Sequence, residues 1–279
     1  MFEKLIIKLS GIDCTKKNPI NYDNLLRSPG QSLDEELDSI REGLALKYIQ
    51  AFGLMAIGII LILIFKLSLY FELGLFFIFF IYLIYTLSKN INKIRSYKLG
   101  RDGEKSVAQY LSIVARQLTK EDANMHVYHD LVDEEKAFNI DHVVVSKKGI
   151  FIFETKTYRK DEGITNTITS NGKELFKNGQ KMTNNIPLQV KGQVQWLQSE
   201  LLQKTGKKYT IIPSIVFVGW YVDSQKIDDI NITTAKTLKH ILENQYRDVL
   251  YDDEELKRIT SVVHKLATIT NQKHTDICK

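Results

Sequence analysis

The sequence predicts an α/β domain with a mixed sheet, preceded by a helical hairpin that crosses a membrane. Three observations predict it. Two apolar runs, 49–65 and 73–87, are separated by a short turn. Behind them the apolar spacing alternates between helix and strand periods. Two runs rich in β-branched and aromatic residues, 140–145 (IDHVVV) and 150–154 (IFIFE), then flank the turn Ser146-Lys147-Lys148-Gly149.

Each apolar run is 15–17 residues long, slightly short of the ~20 that cross a bilayer. Tyr48, Leu67, Leu69, Tyr70 and Phe71 extend the spans, and Lys66 can snorkel from the interface. Neither run has the polar face that a helix in water shows, and the remaining chain is too small to wrap both. Lys89, Lys93, Arg95, Lys98 and Arg101 crowd the exit of the second span, and Arg41 and Lys47 precede the first. Positive flanks stay in the cytosol, so both termini are expected there, in an inner (cytoplasmic) membrane protein of two spans.

Residues 1–47 form the expected amino-terminal cytosolic segment. A weak apolar start at 5–9 is too short for a secretory signal, and a loop-like stretch with Pro19, Asn21, Asp23, Pro29 and Gly30 follows. From Ser32 the pattern turns helical. Ser32 is placed to cap it with Glu35 three residues on, and Leu33, Leu37, Ile40 and Leu44 keep helical spacing. The segment carries no evident chemistry and suits self-association or a protein partner.

Cys14 and Cys278 make neither a disulfide framework nor a zinc pattern, so a reducing compartment is expected. Residues 1–87 hold 8 Lys and Arg against 9 Asp and Glu, whereas 88–279 hold 30 against 24. That positive balance suits a polyanion but also an ordinary solvated surface.

After a basic linker at 89–101, residues 103–118 read as a helix with a stripe of Val107, Tyr110, Leu111, Val114 and Leu118. Strands follow at 126–131, 140–145 and 150–154. Then come a helix at 188–202 entered through Pro187, a strand at 211–218, and helices near 236–250 and 252–270. Residues 102–222 are the predicted domain and 223–279 a helical extension. Trp196 and Trp220 read as core residues, and Lys147 and Lys148 as a solvated turn.

The central hairpin carries the chemistry. If Lys147 and Lys148 form a two-residue loop, Asp141 stands opposite Glu154, with Cβ atoms about 5 Å apart, and Lys156 shares their face. Two carboxylates so close call for a cation such as Mg²⁺. If Gly149 instead belongs to a three-residue loop with a bulge, His142 faces Glu154 and the acids point to opposite faces. The bland alternative is that Asp141 and Glu154 merely end strands and pair with surface lysines. In the two-residue register His142 points away from the acids and reads as a packed histidine.

These residues carry a family likeness. Gly103-Glu104, Asn139-Ile140-Asp141-His142, Gly149-Ile150-Phe151, Phe153-Glu154-Thr155-Lys156 and Pro187-Leu188-Gln189 together resemble the nuclease-related domain (NERD) family of the PD-(D/E)XK, restriction-endonuclease-like superfamily. The likeness spans about 100–220. The chain departs from the pattern at Ile186, where an Asn is expected before the proline.

The resemblance implies an αβββαβ restriction-endonuclease-like core and a metal-dependent endonuclease. Asp141 and Glu154 would bind Mg²⁺ (or Mn²⁺), Lys156 would position or activate the attacking water, and Glu104 and Gln189 would be accessory. Arg159 and Lys160 follow as candidate phosphate contacts. The implied partners are nucleic acid, expected to be double-stranded DNA, and membrane lipid. The architecture suits defence against phage or plasmid DNA. The competing readings are a catalytically silent nucleic-acid-binding or scaffolding module and a membrane sensor.

Overall fold

The computed structural model describes residues 25–65, 69–119, 124–133, 138–223, 226–244 and 250–268. The loop around Pro19–Asp23, the turn at Lys66, both cysteines and the last helix beyond 268 lie outside the described residues.

Two long helices lead. Helix α1 (Gln31–Phe65) runs without a break from the amphipathic segment through the first apolar run, and α2 (Leu69–Thr119) carries the second. They pack antiparallel: Phe52 meets Phe79 edge-on at 5.1 Å, and Gly58 faces Leu75. Both are long and apolar enough to cross a membrane. Their outward side chains, among them Ile57, Leu63, Phe77 and Ile78, are more than half exposed. The expected linker at 89–101 is helical instead. It contains no proline and is rich in Lys, Arg and Asn, so nothing interrupts α2, which extends for about 75 Å at 1.5 Å per residue.

The domain is built on a six-stranded sheet. Its strands are β1 (His126–Asp133), β2 (Phe138–Ser146), β3 (Gly149–Lys156), β7 (Ile211–Phe217), β9 (Lys226–Ile227) and β10 (Ile230–Thr233), in the order β1-β2-β3-β7-β10-β9. The first three are antiparallel, β3, β7 and β10 run parallel, and β9 closes antiparallel, so the sheet is mixed as predicted. A small second sheet of β4 (Thr167–Ser170), β5 (Leu175–Lys177), β6 (Gln180–Lys181) and β8 (Tyr221–Val222) fills the segment between β3 and the next helix.

Helices cover both sheet faces. On one, Val107, Leu111, Val114 and Leu118 of α2, with α4 (Leu238–Asn244), pack on Val144, Phe151, Phe153, Ile212 and Val216. On the other, α3 (Ile186–Thr205) and α5 (Asp253–Leu266) pack on Val143, Val145, Ile150, Ile152, Ile215 and Phe217. Covered on both sides, β3 and β7 are buried along nearly their whole length, with unbroken apolar runs at 150–153 and 215–217 rather than alternation. Of the predicted helix 236–250, Leu238–Asn244 is α-helical after a single 3₁₀ turn at Ala235–Thr237, and 245–249 lie outside the described residues.

Ser32 departs from its predicted role. The helix begins at Gln31, after Gly30, and the Ser32 hydroxyl donates to Asp130 on β1 (2.7 Å) instead of capping α1. A buried acceptor that needs donors outcompetes the local cap.

Candidate active site

The β2–β3 hairpin settles the register. Ser146 pairs with Gly149 and His142 with Phe153, so Lys147 and Lys148 form a two-residue loop. Asp141 therefore lies at the same end of the hairpin as Glu154. Beyond the last ladder pair its Oδ2 accepts the Thr155 backbone N–H at 2.7 Å, which ties the two strand ends together.

Helix α3 delivers the next groups. Asn185 caps it by accepting the Leu188 N–H (3.2 Å), and Pro187 sits in the first turn, where the missing N–H costs nothing. This entry points Gln189 and, one turn on, Gln193 at the end of β3. Glu154 Oε1 accepts from Lys156 Nζ (2.5 Å) and Gln189 Nε2 (2.8 Å), and its Oε2 accepts from Gln193 Nε2 (2.7 Å). Gln189 Oε1 also accepts from Lys156 Nζ at 3.2 Å. Ile186, the departure from the family pattern, is buried in the core.

Glu104 comes from α2. The residue before it, Gly103, is not a helix start as predicted but a point of close approach. A Cβ there would lie 1.8 Å from Thr157 Oγ1, so only glycine lets α2 lie against the end of β3. Glu104 is buried, its carboxyl is hydrogen-bonded to the Gly30 backbone, and its Oε2 has no partner.

Burial governs the electrostatics. It pushes the Glu104 carboxyl up to about 8, helped by the negative charges of Asp130 and Glu154. Burial also lifts Asp141 well above the carboxylate range, with Glu154 and Glu104 adding to it. Lys156 is pulled down by burial, but Glu154 and Asp141 outweigh this and hold it above its ordinary value. Three carboxylates face one ammonium, an excess of negative charge that a hard divalent cation neutralises.

An all-oxygen donor set with one orphaned, buried carboxylate oxygen fits such an ion. Among the described residues no three His, Cys, Asp or Glu side chains are grouped so as to hold a metal ion by themselves. The protein would therefore supply part of the coordination sphere and leave the rest to water or substrate, as Mg²⁺ sites do.

The cleft above these groups has a volume of about 630 Å³. Asp141, Glu154, Lys156, Tyr158 and Gln189 line it, and the start of α1 adds Ser32, Glu35, Glu36 and Ser39 as an acidic wall. Two cavities of about 810 Å³, one between α1 and α2 and one between α3 and α5, hold no comparable group of buried acids.

Other candidates fall outside. His142 is buried on the opposite sheet face, with its Nδ1 2.9 Å from His129 Nδ1, and burial holds it well below the ordinary imidazole value. Arg159 and Lys160 are exposed beyond β3 and do not line the cleft. Lys147 pairs with Asp253 (2.7 Å), Lys148 donates to the Glu243 carbonyl (3.3 Å), and both tryptophans are core.

Residues 99–218 match the profile of the nuclease-related domain (NERD). Residues 99–218 form a nuclease-related domain. Neither the curated proteins nor the solved structures yield a match to this chain. Glu104, Asp141, Glu154, Lys156 and Gln189 all fall inside the nuclease-related domain, whereas α1 and the apolar run of α2 fall outside it. Gln193 was missed by the sequence reading. The signal for it was present: a glutamine standing in the inward stripe Ile186, Val190, Gln193, Trp196, Leu197, Leu201 needs a buried partner.

Proposed function

We propose that the chain is a membrane-anchored, metal-dependent endonuclease that hydrolyses phosphodiester bonds in DNA. One observation carries the reading: Glu104, Asp141 and Glu154 are buried together against a single ammonium, at the hairpin end of a nuclease-related domain.

Asp141 and Glu154 would hold Mg²⁺ or Mn²⁺, and Glu104 would add a third carboxyl group to the site. When bound, the ion supplies positive charge for the phosphorane-like transition state and acidifies water. The protein's own groups do the rest. Lys156 Nζ keeps its proton, because Glu154 and Asp141 hold it above its ordinary value, and so presents a fixed positive charge to the reacting phosphate. Gln189 bridges Glu154 and Lys156 and fixes their spacing, which preorganises both before substrate arrives. Arg159 and Lys160, exposed beyond the cleft, meet the backbone of the same strand.

The anchor is read as two spans with both termini in the cytosol of an inner membrane, the basic flanks staying inside. A nuclease held there meets DNA as it enters through the envelope, which suits defence against phage or plasmid DNA.

The test uses the full chain in lipid nanodiscs, because α1 forms part of the cleft wall. Plasmid DNA and RNA are incubated with Mg²⁺ or Mn²⁺, comparing the parent with Asp141→Ala and Lys156→Ala. The parent nicks DNA and both variants are silent. Cleavage that survives both substitutions overturns the site; DNA binding without cleavage under any condition favours the scaffolding module.

A further inference from the structure

The segment Arg27–Ser32, which leads into the first turn of α1, lies outside the nuclease-related domain, yet it is bonded to the domain's acids. Asp130 on β1 is fully buried. Its carboxylate accepts from Arg27 Nε (2.8 Å), the Ser32 backbone N–H (2.9 Å), Ser32 Oγ (2.7 Å) and Asn139 Nδ2 (2.7 Å). Asn139 passes the connection on: its carbonyl accepts Gln193 Nε2 at 2.8 Å, and the same nitrogen donates to Glu154 Oε2 at 2.7 Å. A continuous hydrogen-bonded chain thus runs from Arg27 and Ser32 through Asp130, Asn139 and Gln193 to Glu154.

Two further observations converge on it. Gly30 of the same segment is bonded to Glu104 through its backbone, at a left-handed φ of +74° where a Cβ would lie 2.9 Å from Arg101 Cγ. Asp130 itself has φ +52°, in a region few non-glycine residues occupy, and the β1–β2 ladder skips it between His129↔His142 and Leu131↔Ile140. Strain of this kind persists only where the surroundings enforce it, and here it turns the carboxylate inward toward the clamp.

We infer that the docked segment Arg27–Ser32 is a positioning element of the active site: clamped on Asp130, it fixes Glu154 through Asn139 and Gln193, and so couples the membrane anchor to the metal-holding carboxylates. Arg27, Asp130, Asn139 and Gln193 are positioning residues and touch no reacting atom. The inference rests on the reading of Glu154 as a metal-holding group. Groups that orient such ligands change metal affinity or turnover about 10–100-fold when removed.

The experiment takes the full chain in nanodiscs and measures Mn²⁺ binding by calorimetry, alongside plasmid cleavage and hydrogen exchange over residues 25–40. The variants are Asp130→Asn, Asn139→Ala, Gln193→Ala and the milder Ser32→Ala, which removes the hydroxyl's bonds to Asp130 and from Arg27 but keeps the Arg27–Asp130 ion pair. Lys191→Ala, from an exposed ion pair with Asp228, is the control. Asp130→Asn, Asn139→Ala and Gln193→Ala weaken Mn²⁺ binding tenfold or more and lower kcat with KM for plasmid unchanged. Ser32→Ala gives a smaller shift in the same direction, together with faster exchange over 25–40, and the control changes nothing. Mn²⁺ affinity within twofold of the parent in Ser32→Ala and Asp130→Asn, while exchange shows the segment released, overturns the inference and leaves the carboxylate site standing. A parent that binds no Mn²⁺ overturns the carboxylate site itself and this coupling with it.

Discussion

Glu104 and Gly103 show how much depends on single positions. Glu104 is held protonated up to about 8, against an ordinary 4.5, so between those values the folded chain keeps a proton that the unfolded chain releases. Stability from this group is full below 4.5 and is lost as pH rises through about 8. In metal-free micelles, Glu104→Gln should match the parent's Tm at pH 4 and exceed it by a few degrees at pH 9, on the order of 2 kcal/mol. Divalent cation should reverse the ranking, because it neutralises the parent's carboxylate and finds only an amide in the variant. Thermal unfolding across pH 4–9, with chelator and with Mg²⁺, checks both halves. At Gly103 the added methyl of Gly103→Ala overlaps Thr157 Oγ1, so α2 must move off β3. A cost of about 1–3 kcal/mol follows, with a loss of cleavage tenfold or greater. Gly103→Ala with Thr157→Ala removes the nearest clashing atom and should recover part of both, as unfolding and plasmid nicking would show.

Among the elements, the β2–β3 hairpin was legible and the start of α1 was not. The two β-rich runs and the short turn between them were legible, but two loop lengths stayed open; the observed Ser146–Gly149 pairing selects the two-residue loop, which puts Asp141 and Glu154 at one strand end. The helix behind Pro187 was legible for the same reason, since its cap and proline lie in its own first turn. The bonds of Ser32 are not local. They depend on a carboxylate 98 residues away, held in a left-handed backbone that no spacing announces. The helical linker at 89–101 was missed because basic residues read equally as a solvated face and as a loop. The small sheet of β4, β5, β6 and β8 has strands of two to four residues, too short for a period to show. The start of α1 also supports a prediction of its own, since Glu35 and Glu36 line the same cleft as Lys156 and would oppose an incoming phosphate backbone. Replacing both by Gln should tighten DNA binding about threefold in 50 mM salt and leave it unchanged in 0.5 M, where screening removes the repulsion. Fluorescence anisotropy with labelled duplex, in Ca²⁺ to hold back cleavage, measures it.

At the scale of the whole molecule, α2 links the apolar hairpin to the candidate site. One unbroken helix carries the apolar run 73–87 and Glu104, so the site lies about 25 Å from the end of that run along the helix axis. No hinge is built into this stretch, and α1 returns beside it to clamp Asp130. On the proposed two-span anchor, the domain would be held close beneath the lipid by two helices and could not drift as a tethered ball would. Its side of the membrane then decides which DNA it meets. Lys89, Lys93, Arg95, Lys98 and Arg101 occupy four turns of α2 directly after the apolar run, whereas the connection between the spans has Lys66 and Glu72, which offset each other. Short basic flanks are retained in the cytosol, and anionic headgroups on that face add about 1 kcal/mol for each Lys or Arg close to the surface. In a chain whose two cysteines are replaced by serine, Lys66→Cys should therefore react with an impermeant maleimide added to intact cells, and Lys98→Cys only after the cells are opened. The opposite pattern would put the nuclease-related domain outside, away from cytosolic DNA. Protection of both positions until opening would sink the two-span reading, because the connection between the apolar runs would then never have crossed.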